Sequence, residues 1–63
     1  MDSNDLVPYL NKRIQIVINI NNSTLFYTGK IEELNDDTIL IIDKYNKLVT
    51  LSYSNIVKVQ EVV

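Results

Sequence analysis

The stretch from Tyr27 to Val59 constrains the fold most. It reads YTGKIEELNDDTILIIDKYNKLVTLSYSNIVKV: four strand-like runs joined by tight polar turns, with the chain's single glycine inside the first run. Leu25, Tyr27, Gly29 and Ile31 fall on one face, and then the phase slips, because Leu34 rather than Glu33 is apolar. A glycine in mid-strand followed by a phase slip predicts a sharp bend or a bulge. Bends of this kind let a short sheet curve strongly.

The rest of the chain extends the pattern. From Arg13 to Ile20 the sequence alternates, with Ile14, Ile16, Ile18 and Ile20 on one face and Arg13, Gln15, Val17 and Asn19 on the other. That period of two is the mark of a half-buried strand. Asn21-Asn22-Ser23 is turn chemistry, since Asn tolerates positive φ. Asn35-Asp36-Asp37 makes the next turn. Thr38 to Ile42 is apolar on both faces and predicts a central, fully covered strand. Lys44 to Lys47 turns the chain again. Leu48 to Tyr53 is the fourth strand, with Val49, Leu51 and Tyr53 on one face, and Ile56 to Val63 is the fifth. Only Met1 to Lys12 departs from strand character. Ser3, Asn4 and Asp5 are N-cap residue types, and Leu6 and Leu10 can share a helix face. Pro8 fits within a first turn. One or two helical turns ending near Asn11 are expected.

With 63 residues the chain is one domain, and a domain of that size buries only about 60% of its unfolded surface. There is no cysteine for a disulfide or thiolate site and no histidine to act as zinc ligand or general base. Hydrophobic residues make up 46% of the chain, which favours sharing apolar surface between copies. The net charge of −2 and a pI near 4.7 argue against a duplex binder. No segment approaches the ~20 apolar residues of a membrane span, and no secretory leader is recognisable. A soluble cytoplasmic protein is expected. No nucleophile–base pair is present, so an enzyme is not expected, and no cofactor is implied.

Several clusters admit two readings. Asp36 and Asp37, with Glu32 and Glu33 nearby, are either a divalent-cation site, which needs several carboxylate oxygens, or a solvated acidic hairpin. Lys12 and Arg13, with Lys44 and Lys47 elsewhere, are phosphate contacts or an ordinary solvated strand start. Tyr53 either stacks on a base or packs at a subunit contact, where tyrosines are enriched. Tyr9 and Tyr27 read as core or edge packing, and Tyr45 as an exposed turn residue open to a partner.

A short helix followed by five strands, the second one bent, resembles the Sm-like family of Sm, LSm and Hfq proteins. Tyr9-Leu10-Asn11-Lys12-Arg13-Ile14 resembles the family's passage from helix to first strand. Gly29-Lys30-Ile31 with Leu34-Asn35 resembles the first Sm motif, and Thr38-Ile39-Leu40-Ile41 its third strand. Leu51-Ser52-Tyr53-Ser54-Asn55-Ile56 resembles the second motif, usually Ile-Arg-Gly-Asp-Asn-Ile. The resemblance implies a mostly β, five-stranded, strongly bent antiparallel sheet forming a small Sm-like (SH3-like) barrel over residues 13–63, after a helical segment over residues 1–12. It also implies a homo-oligomeric ring that binds single-stranded RNA. By correspondence, Asp37 takes the place of Hfq's base-stacking aromatic and Ser52 that of the Sm arginine. Tyr53 and Ser54 replace Hfq's Lys-His pair, and Asn19 sits near the aromatic of its other face. Lys12 and Arg13 match part of its basic rim. The expected RNA contacts are therefore Lys12, Arg13, Asp37, Ser52 and Tyr53. The fourth and fifth strands each need a partner edge, so the expected oligomer contacts are Leu51, Tyr53, Val57 and Val59. The alternative is a protein-interaction or scaffold module without nucleic-acid binding, favoured by the acidic pI and the substituted motif positions.

Overall fold

The computed structural model describes residues 2–62. A four-residue helix, α1 (Ser3–Leu6), runs into a 3₁₀ turn at Val7–Tyr9. Five strands follow: β1 (Arg13–Ile20), β2 (Ser23–Leu34), β3 (Thr38–Asp43), β4 (Leu48–Ser52) and β5 (Ile56–Glu61), with a second 3₁₀ turn at Tyr53–Asn55 between the last two. Val63, included in the expected fifth strand, lies outside the described residues. All five strands form one antiparallel sheet in the order β4-β3-β2-β1-β5. The strand pairing is open: β4 and β5 are the two edges, so the expected closure into a barrel is not made by hydrogen bonds between them.

Strand β2 organises the sheet. Residues from Ser23 to Lys30 pair with β1, and residues from Gly29 to Leu34 pair with β3, so the two ladders overlap only at Gly29 and Lys30. The register slips between Ile31 and Glu33, leaving Glu32 as the extra residue of a bulge. That is the phase slip visible in the sequence. Gly29 is required for a specific reason. A Cβ built there would lie 2.0 Å from the carbonyl oxygen of Ile42 and 2.9 Å from Cα of Asp43, both backbone atoms of β3. The two strands can approach this closely only because no side chain intervenes.

Paired residues share a sheet face, and the inner face holds the core. Ile14, Ile16 and Ile18 of β1, Ile31 of β2, Ile39 and Ile41 of β3, and Leu51 of β4 are buried together with Leu6 and Tyr53. Leu6 reaches this core because Asp2, rather than the expected Ser3, Asn4 or Asp5, caps α1. The Asp2 carboxylate accepts from the backbone N–H of Asn4, and the Asp5 carboxylate accepts from the backbone N–H of Asp2, a reciprocal capping box. Leu10 does not share the face of Leu6: it follows the 3₁₀ turn and is exposed. Strand β3 also departs from expectation. Its inner residues Ile39 and Ile41 are fully buried, but Leu40 and Ile42 on the outer face are only partly buried.

The turns follow from asparagine chemistry. Asn21 and Asn22 both have positive φ, 52° and 64°, which makes the two-residue connection between Ile20 and Ser23. At the β3–β4 turn, Asn46 has φ 65°, and the Asp43 carboxylate accepts from the N–H groups of Tyr45 and Lys47 at 2.8 and 2.9 Å. No helix among the described residues is long and apolar enough to cross a membrane.

Candidate functional site

Two clefts flank the bent sheet, and they carry different charge. The first, of about 630 Å³, is lined by Asp2, Asp36, Asp37, Ser52, Tyr53 and Ser54. It forms because the β2–β3 turn and the β4–β5 connection are tied together: the N–H of Tyr53 donates to the carbonyl of Asp37 at 3.0 Å. The Ser52 side chain accepts from the N–H of Ser54 and caps the 3₁₀ turn, and the two serine hydroxyls lie 2.8 Å apart. Three of the residues expected at an RNA site, Asp37, Ser52 and Tyr53, therefore converge from two separate loops.

Their chemistry differs from that of a base-stacking pocket. Tyr53 is only 5% exposed; its ring belongs to the core, and its hydroxyl donates to the carbonyl of Asn35 at 2.6 Å. The ring is not offered to a base. Burial pushes the Tyr53 phenol above its ordinary pKa, and the carboxylates of Asp36, Asp2 and Asp37 push in the same direction. Three carboxylates line this cleft with no cation among its residues, an arrangement that repels a phosphate backbone. Glu32 and Glu33 lie away from it: Glu32 lines the other cleft, and Glu33 stands opposite Leu40 on the outer face. Among the described residues, no three acidic side chains are grouped so as to hold a metal ion.

Lys12 and Arg13 are not part of this first cleft. Lys12 pairs with Glu61 at 3.3 Å, both side chains about half exposed, a contact worth at most about 1 kcal/mol. Arg13 is the first residue of β1 and lines the second cleft, of about 270 Å³, together with Gly29, Lys30, Glu32, Ile42, Asp43, Lys44 and Asn46. The role of Lys30 is invisible in the sequence until the β1–β2 register places it opposite Arg13.

The expected oligomer contacts also divide. Leu51 and Tyr53 are core residues, and Val59 is half-buried against the core, opposite Ile16. Val57, by contrast, is 65% exposed on the edge strand β5, and Leu48 is 64% exposed on the opposite edge strand β4. Leu48 was not anticipated; its place at the start of an edge strand, just after the turn, is the signal that marks it.

No family model, no curated protein and no solved structure matches this chain.

Proposed function

We propose that this chain is an Sm-like subunit, its bent sheet serving as a small open barrel, that assembles with copies of itself into a closed ring and binds single-stranded RNA. The observation that carries the reading is the pair of free edges. Strands β4 and β5 end the sheet on opposite sides, and each bears a large exposed aliphatic residue, Leu48 or Val57. An unpaired edge invites another strand. Adding β4 of one copy to β5 of the next is a head-to-tail contact, and such contacts remove all edges at once when the rotation closes. The bulge after Gly29 gives the bent second strand on which the family resemblance was argued, and that resemblance supports the RNA part by analogy alone.

A second reading is supported by the charge of the loop cleft. Asp2, Asp36 and Asp37 with a buried Tyr53 suit a protein partner better than an RNA strand. Fluorescence polarisation with U-rich and A-rich RNA at two salt concentrations separates the two. Binding that weakens with salt supports the RNA reading. No binding by the assembled protein at low salt moves the function to a protein-interaction module.

A further inference from the structure

The second cleft has features that assembly does not use. Half of the chain's 6 lysines and arginines line it, and they come from three elements: Arg13 at the start of β1, Lys30 in the middle of β2, and Lys44 in the β3–β4 turn. Arg13 and Lys30 are direct cross-strand partners. Like charges placed directly opposite each other destabilise a sheet. Among the described residues the ion pair is Lys12–Glu61, and Arg13, Lys30 and Lys44 make none with a carboxylate of those residues. The two acids in the cleft do not offset this fully. Asp43 has one carboxylate oxygen committed to the backbone N–H groups of Tyr45 and Lys47. Three cations against two carboxylates leave the cleft with a net charge of +1 (3 − 2).

An aromatic ring stands beside the cleft, in the turn between two of its lining residues. Tyr45 is 71% exposed in the turn that supplies Lys44 and Asn46, and the Lys44 ammonium lies 5.3 Å from the centre of its ring. A cation group able to hold a phosphate beside an exposed aromatic face is the combination that binds single-stranded nucleic acid: phosphate contacts position the strand, and the ring stacks with any base.

We propose that this cleft binds one nucleotide of a single-stranded nucleic acid, with Arg13, Lys30 and Lys44 on the phosphate and Tyr45 under the base. The proposal rests on the RNA reading above, and it moves the contact away from the acidic loop cleft to which the family resemblance points. It also explains how a chain of acidic pI can bind a polyanion: half of its cations line this cleft, and the loop carboxylates Asp36 and Asp37 line the other.

The test is amide chemical-shift mapping of the full chain, titrated separately with short oligouridylate, short oligoadenylate and inorganic phosphate. RNA shifts the amides of Lys30, Asp43, Lys44, Tyr45 and Asn46 and leaves those of Asp36, Asp37 and Ser54 in place; inorganic phosphate shifts the same group more weakly. Replacing Arg13 and Lys30 together with Ala lowers RNA affinity at least tenfold and flattens the slope of log K against log salt by about 1.4, two cations at ~0.7 each. Tyr45→Ala lowers RNA affinity without changing the phosphate response, and Lys58→Ala, on the outer face of β5, serves as the neutral control. RNA binding that shifts Asp36, Asp37 and Ser54 instead overturns this inference and leaves the RNA reading standing. Absence of RNA binding at low salt overturns both.

Discussion

Replacing Gly29 with Ala should destabilise the fold, and the sign of the effect is diagnostic. In an ordinary strand this change stabilises, because Ala has less backbone freedom to lose, by about 0.5–1 kcal/mol. Here the added Cβ would lie 2.0 Å from the carbonyl oxygen of Ile42, 2.8 Å from its carbonyl carbon and 2.9 Å from Cα of Asp43. All three are backbone atoms, so no rotamer change relieves the contact. Strand β3 would have to withdraw by more than an ångström at the point where β2 passes from one ladder to the other. Overpacking of this kind costs about 1–3 kcal/mol. For a domain of this size that corresponds to a fall in Tm of about 4–24 °C, at ~4–8 °C per kcal/mol. Thermal unfolding followed by circular dichroism at fixed protein concentration measures it, with Thr28→Ala as the neighbouring control. A Gly29→Ala variant as stable as the parent, or more so, would refute the close approach of β2 and β3.

Tyr53→Phe removes the hydroxyl bond to Asn35 and should cost about 0.5–1.5 kcal/mol in urea unfolding at neutral pH; an unchanged midpoint would show that bond to be dispensable. Tyr53 also predicts the direction of an alkaline transition. Its folded pKa is raised, so the stability it contributes is fully present below the unfolded tyrosine value near ~10 and is lost as pH rises through the folded pKa. The parent should therefore weaken above about pH 10 more steeply than Tyr53→Phe, and identical pH profiles would contradict the burial of the phenol. Leu6→Ala, which empties a fully buried position under α1, should cost about 2–5 kcal/mol in the same assay; a loss below 1 kcal/mol would mean that the helix is not part of the cooperative core.

Much of this fold is written in local patterns. The alternation in β1, the paired asparagines at 21 and 22 and the slip after Ile31 each report a neighbour-to-neighbour constraint, and each appears in the structure at the expected place. What escaped depends on tertiary placement. The apolar run of β3 reads as a strand fully covered on both sides, but only its inner residues Ile39 and Ile41 are fully buried, while Leu40 and Ile42 are partly exposed. The period of two put Tyr53 on the face of Val49 and Leu51, and it is buried with Leu51, but from a 3₁₀ turn beyond the end of β4 rather than from the strand itself. The loop site was legible in part: Asp37, Ser52 and Tyr53 were expected together, and the turns bring them into one cleft. The basic cleft was not, because Arg13, Lys30 and Lys44 are far apart in sequence and meet only through strand register and turn geometry.

The most direct test of assembly through the sheet edges is light scattering on the parent and on Leu48→Lys combined with Val57→Lys. Both side chains are largely exposed in the single chain, so the substitutions should leave the fold intact by circular dichroism. The expected result is a parent mass that is a fixed multiple of 7.3 kDa across micromolar to near-millimolar concentration, and a folded monomer for the double variant. A parent that scatters as a monomer throughout that range would contradict it.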